Sequence, residues 1–491
     1  MSDASKYTTR GRLFIFFRFF AEFTAKASSL ITFPLLSRYL GPEGYGVNTQ
    51  TTLFVSFLVP VATLGLGYGV VRMVAGKQSR EYISARFFST LLLVLASSSL
   101  LCVLIVLLAP ILNTLFIKVD WATPIIRWAA PLIILNAVEN TLRDYYRARL
   151  RIIAYSVMQV IQTVAYVAAV ALVLTSGGGL LQLVWAWLGI KALYDLGALL
   201  YFLAIGEIHF QKELMPRSEI AELLRFGFPI VVTGLSAWVI AVGDRGVIGY
   251  FLNASQVGVY NAGYTLAGII GALASPFWNP LYPLMATYKN NQDRAGLGRV
   301  CRKYTNAFSL IGIPGLVGLI VLSQPLLVQF GTADFALSYP TFTFIALGLF
   351  CDQFAANAQY LVYLHNEPVF LRNVTILSGL TNIALNLVLV PTLGITGAAL
   401  STLFSYVLLD GLLYRQVIRY GYHIGELYDF HTIGRFCVGA LVMGVVIYWI
   451  NLHIQYNVTV LFAVAGAGVA AYCLALLALY RFNPKNLLEK I

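Results

Sequence analysis

Three ionisable residues, Arg18, Glu22 and Lys26, stand four apart inside the apolar stretch FFRFFAEFTAKASS of residues 16–29. On a helix this spacing puts all three on one face, as a strip about 12 Å long. An ionised side chain at the centre of a bilayer costs about 2.5–3.5 kcal/mol on insertion scales, so the strip must face protein or water. Glu22 neutralises one neighbour and leaves the face net positive. A charge ladder that only locks the helix to a partner needs no surplus cation, whereas a cavity wall that meets an anionic headgroup does. The second reading makes Arg18 and Lys26 anion-binding residues and Glu22 a candidate for ion coupling.

The other charges that fall within apolar runs sort by depth and by partner. Lys191 and Asp195 are again one helical turn apart, and either neutralise each other or form a working site. In a working site Lys191 would meet an anion and Asp195 a coupling ion. Asp352 has no sequence-local partner, which suits a proton- or cation-linked carboxylate as well as a hydrogen-bonded structural role. Arg245, next to Asp244, lies in the outer third of its run and faces an outer cleft or snorkels to the interface. Arg127 and Glu139 sit near the ends of their runs as interface residues, and Asp410 reads as structural. Substrate-binding candidates are thus Arg18, Lys26, Arg245 and Lys191, and ion-coupling candidates are Glu22, Asp352 and Asp195.

Catalytic and metal chemistry have no comparable signature. The five cysteines, Cys102, Cys301, Cys351, Cys437 and Cys473, are scattered without a CxxC pair, and the five histidines are dispersed. No GxxxxGK[ST] loop is present, so ATP bound by this chain is not the expected driving force. No catalytic residue, metal site or cofactor is predicted.

The elements that must position these charges are membrane helices. Hydrophobic residues make up 59% of the 491 and charged ones only 11%, far from the balance of soluble domains. Apolar runs of about 20 residues, the length that crosses a bilayer, recur along the whole chain. They read as spans near 13–37, 45–71, 87–113, 121–142, 152–175, 180–205, 226–250, 257–284, 305–330, 339–363, 371–391, 394–418, 433–452 and 457–480. The joins at TSGGG (175–179) and PTLG (391–394) leave room only for tight turns. Of 33 Lys and Arg, 26 fall in alternate segments that become cytoplasmic if the N-terminus is cytoplasmic. The net charge of +12 is therefore a topology signal and a match to anionic lipid rather than to nucleic acid. The first run carries three charges and no A-x-A site, so it is expected to remain as the first helix.

An internal repeat organises the spans. YVAAVALVLTSGGG (166–179) aligns with TNIALNLVLVPTLG (381–394), and Asp195 and Asp410 keep the same offset. LGPEGYGV (40–47) aligns with LNASQVGV (252–259). A repeat holding six spans leaves both copies in the same orientation. The predicted fold is all-α and polytopic, with about fourteen transmembrane helices: two parallel six-helix halves, 1–215 and 216–430, followed by two further helices in 431–491. A cleft between such halves suits alternating access. TLGLGYGVV (63–71) and GALASPFWNPLYP (271–283), at equivalent places in the two halves, mark helices that pack closely or flex.

LSRYLGPEGYGV (36–47), LGLGYGVVRMVA (64–75) and the duplicated six-helix halves resemble the polysaccharide transporter branch (Wzx-type, O-antigen flippases) of the multidrug/oligosaccharidyl-lipid/polysaccharide exporter superfamily. The resemblance implies flipping of an undecaprenyl-pyrophosphate-linked oligosaccharide across a bacterial inner membrane, with both termini cytoplasmic. It implies a lipid-linked oligosaccharide and membrane lipid as partners, a coupling cation, and contact with a glycan polymerase or other assembly machinery. A drug/cation antiporter of the same superfamily is the alternative, although it would favour an acidic cavity. A lipid II flippase is a further alternative, but the arginine pattern of that family's first helix is not matched here. A membrane enzyme would need a sizeable extramembrane loop, and all predicted outer loops are short.

Overall fold

The computed structural model describes residues 3–74, 79–149, 151–206, 208–209 and 214–480. Among the described residues the regular elements are helices: α1 (Asp3–Ala62), α2 (Leu66–Val74), α3 (Arg80–Leu112), α4 (Ala122–Ala129), α5 (Leu132–Ala148), α6 (Ile152–Thr175), α7 (Leu180–Ala204), α8 (Arg217–Phe251) and α9 (Ala254–Ala267). There follow α10 (Ile269–Asn290), α11 (Arg294–Phe330), α12 (Tyr339–Phe354), α13 (Ala356–Leu364), α14 (Pro368–Leu393), α15 (Ile395–Arg419), the single turn α16 (Ile424–Leu427), α17 (Phe430–Asn451) and α18 (Val458–Leu479). Among the described residues, ten helical stretches are long and apolar enough to cross a membrane. Helix also lies over each of the fourteen predicted spans, which is consistent with fourteen crossings.

Local chemistry sets where the helices start and stop. Side chains of Ser79, Asp293, Ser338, Asp429 and Asn457 accept backbone N–H groups at the first turns of α3, α11, α12, α17 and α18. Each satisfies a donor that the helix itself leaves orphaned. The first two predicted spans run together as α1, broken at Gly41, whose φ of 65° no β-branched or bulky residue would adopt readily. Both predicted tight turns are present. Gly177 (φ 83°) separates α6 from α7, and Gly394 (φ 60°) alone separates α14 from α15. In the proline-rich stretch, Pro276, Pro280 and Pro283 all stay inside α10, and the break falls earlier, at Gly268.

Two compact units form, Met1–Gly258 and Val259–Ile491. In unit 1, α1 packs on α5 and α6, α3 on α5, and α7 on both α5 and α6. An aromatic core of Phe87, Tyr145, Tyr146 and Phe202 fills the space between them. Helix α8 also belongs to unit 1. Glu219 at its start accepts two hydrogen bonds of 2.7 Å from Arg86 of α3. At its other end Lys118 donates to the carbonyls of Tyr250 (2.6 Å) and Leu252 (3.3 Å). A cation there complements the negative end of the helix dipole. The division by packing falls inside α9. In unit 2, α11 packs on α10, α12 and α17, α15 on α12 and α14, and α18 on α17. The two last helices are thus seated on α11. Long apolar side chains such as Leu100, Leu107, Leu172 and Leu193 stand exposed on the helices of unit 1, as a lipid-facing surface requires.

Candidate functional site

Helix α7 turns Lys191, Tyr194 and Asp195 into the interior of unit 1, all at least nine-tenths buried. Opposite them α5 brings Glu139 and α6 brings Gln162. The Lys191 ammonium forms an ion pair with Glu139 Oε2, and Gln162 Nε2 donates to the same oxygen at 3.2 Å. The ammonium also lies 5.1 Å from the centre of the Trp187 ring, one turn back on α7, as in a cation–π contact. Lys191 and Asp195, one turn apart, were open to pairing with each other; the structure gives the lysine to α5 instead. Both carboxylate oxygens of Asp195 are left without a hydrogen-bond partner at 6% residue exposure. The cluster thus holds two carboxyl groups and one ammonium, so its charge is set by protons. Lys191 is committed to Glu139 and turned inward, which leaves it nothing to offer a bulky anion in this arrangement.

Arg245 is also committed. Asp244 Oδ1 accepts from the Arg245 Nη1 at 3.0 Å and from its backbone N–H at 2.9 Å, and the arginine also donates to the Ala241 carbonyl at 3.1 Å. Asp244 is fully buried and Arg245 nearly so. Gln50 of α1 donates to the Arg245 carbonyl at 2.9 Å. Gly249 makes that contact possible, since an added Cβ there would overlap the Gln50 amide. The arginine side chain neither snorkels nor opens to a cleft in this state.

The charged strip of the first span is differently placed. Lys26 is exposed and Glu22 half-buried on α1; the side chain of Arg18 lies outside the described residues. Lys26 precedes the Gly41 break by about 22 Å of helix at 1.5 Å per residue, well inside the span.

In unit 2, Asp352 of α12 accepts a 2.8 Å hydrogen bond from its neighbour Gln353. It therefore has a sequence-local partner, though not a charged one. Asp410 of α15, expected to be structural, lies within electrostatic reach of it and keeps one buried oxygen without a partner. Beside this pair of helices runs a polar seam that a search for charges passes over. Asn386 donates to the Asn382 side chain at 3.0 Å, and Asn382 donates to Thr402 at 3.3 Å, binding α14 to α15. The only signal was the spacing of two asparagines four apart in TNIALNLVLV. For Glu139 the signal was indirect: a lysine buried in a span requires an anion from somewhere.

A match to the polysaccharide biosynthesis protein family runs over residues 15–289, which takes in unit 1 from within α1 onward. The probable low-salt glycan biosynthesis flippase Agl15 of Haloferax volcanii is 24% identical over 433 residues, 87% of this chain and 86% of that protein. The probable flippase AglR of the same organism is 24% identical over 236 residues, 47% of this chain and 49% of its own. Among solved structures, the lipid II flippase MurJ in an inward closed conformation superposes with a TM-score of 0.77 at 15% identity, over 95% of this chain and 99% of that one. An inward-facing multidrug resistance MATE family transporter superposes at 0.64 and 14% identity, over 80% and 94%. At such identities the structural likeness establishes the fold. With more than half of its length inside the family match, the chain belongs to the polysaccharide biosynthesis protein family and carries the fold of the multidrug/oligosaccharidyl-lipid/polysaccharide exporter superfamily.

Proposed function

We propose that this protein is a flippase that moves a polyprenyl-pyrophosphate-linked oligosaccharide from the cytoplasmic to the outer leaflet of a bacterial inner membrane by alternating access. Two like-oriented halves, 1–215 and 216–430, would rock about the substrate, with 431–491 adding two helices and both termini cytoplasmic. The observation that carries this reading is the likeness to a probable glycan biosynthesis flippase along most of both chains, which supports the same substrate class. Lys26, exposed on α1 deep within a span, would be too costly against lipid tails and would face water. Arg18 and Lys26 on that strip would meet the pyrophosphate, whose oxygens suit the forked hydrogen bonds of arginine. Sugars would occupy the chamber while the polyprenyl tail stays in lipid, and a glycan polymerase or assembly factor would receive the product. Coupling to a cation falls to Glu22, Asp352 or Asp195, because moving an anion outwards gains from the membrane potential only by an amount set by net charge, about 2.3 kcal/mol per charge per 100 mV.

In cells lacking the protein, complementation with Lys26→Ala is expected to cut surface glycan about tenfold to a hundredfold, the loss of one charge-assisted contact of about 1.5–3 kcal/mol. Lipid-linked oligosaccharide should accumulate on the inner leaflet. Surface glycan at the parental level would remove Lys26 from the mechanism. Cationic-dye resistance conferred by the chain without any glycan defect on deletion would replace the flippase reading with drug antiport.

A further inference from the structure

The two buried carboxyls and one ammonium of unit 1 do more than join α5 to α7. We propose that Asp195 is a proton-binding site, operated by the Lys191 ammonium shifting between Glu139 and Asp195. Its link to flipping rests on the function proposed above; proton binding itself does not.

Lys191 is bound to Glu139, so the second carboxyl, Asp195, has no cation of its own and neither oxygen has a hydrogen-bond donor. An ionised carboxylate in that position would forgo solvation worth several kcal/mol, which a bound proton restores. Glu139 of α5 and Lys191 of α7 are the charges that act on Asp195. Around them stand the phenols of Tyr194, of Tyr155 from α6 and of Tyr146 from α5. Helix α4, also packed on α7, carries one charged side chain, Arg127, which is exposed.

The device has two states. In the observed one Glu139 is the carboxylate, Lys191 the ammonium bound to it, and Asp195 the neutral acid. In the other, the proton of Asp195 has passed to Glu139, and the ammonium swings one helical turn along α7 to the new carboxylate. Net charge is zero in both, so neither state strands a charge. The two acids differ in access: the Glu139 side chain is 18% exposed while Asp195 is sealed. Protons would therefore enter or leave through Glu139. Gln162, donating to Glu139, helps to hold that side chain in the observed arrangement.

Dicyclohexylcarbodiimide, which attacks buried protonated carboxyls, tests this on the purified full-length chain, with the modified residue located by mass spectrometry. Asp195 should be labelled at neutral pH, and the infrared band of a protonated carboxyl should vanish in Asp195→Asn. In Glu139→Gln the ammonium has only Asp195 to bind, so Asp195 ionises and its labelling falls about tenfold or more. If Glu139→Gln does not fold, the infrared comparison alone decides the matter. A missing protonated band at neutral pH, or labelling of Asp195 that Glu139→Gln leaves unchanged, overturns the proposal. Labelling as expected in a chain that flips no lipid-linked oligosaccharide would retain the proton site and discard only the function.

Discussion

Lys191→Met should destabilise the protein by about 3–5 kcal/mol, the cost of stranding one partner of a buried ion pair. The side chains in question are 5% and 18% exposed, so little water is at hand to take over the ammonium's part. Gln162 supplies Glu139 with one neutral hydrogen bond, and that does not offset a whole charge. Methionine nearly keeps the volume and leaves the cation–π partner Trp187 packed, so the loss measures charge and not a cavity. The double change Glu139→Gln with Lys191→Met should recover most of the lost stability, because a neutral pair of similar shape is often no worse than a buried ion pair. Thermal melting of the detergent-solubilised protein reads both. A double variant that melts as low as Lys191→Met would show that Glu139 is not the group the lysine serves.

The same cluster shows where sequence reasoning succeeds in a membrane protein and where it stops. Helix identity and approximate span edges were legible because the bilayer forces one length and one composition on every crossing, and the turns at Gly177 and Gly394 were legible because glycine adopts their positive φ at least cost. Which residues are unusual was also legible, since a charge within an apolar run is costly wherever it points. The identity of a charge's partner was not. Lys191 had a carboxylate one turn away on its own helix, yet bonds to one 52 positions back, because helix packing rather than spacing decides which face meets which. Arg245 illustrates the opposite outcome. Its partner is the residue beside it, and burial of both removed the option of a free guanidinium that depth alone left open. The Asn382–Asn386–Thr402 seam escaped notice because uncharged amides do not stand out by cost, although interhelical amide hydrogen bonds do fix helix pairs.

The aligned segments LGPEGYGV and LNASQVGV also meet in space, which yields the second large effect. Gly46 and Gly258 occupy equivalent places in LGPEGYGV and LNASQVGV, and they meet each other in unit 1. A Cβ built on Gly46 would overlap the Ala254 carbonyl and come within 3.1 Å of Gly258 N; one built on Gly258 would overlap the Pro42 carbonyl and come within 3.0 Å of Gly46 N. Backbone, unlike a side chain, has no other rotamer, so the two segments must separate to admit even a methyl group. Gly46→Ala and Gly258→Ala should each cost at least the 1–3 kcal/mol typical of overpacking, about the upper end of that range, despite alanine's better helix propensity. Combining them should cost little more than one alone, since the first already forces the contact apart. Gly197→Ala on α7, with nothing within 4 Å of its added Cβ, serves as the control and should gain up to about 1 kcal/mol. Melting curves of the three single variants and the double separate the cases. If Gly46→Ala melts with Gly197→Ala rather than well below it, the two junctions of the repeat do not touch through their backbones.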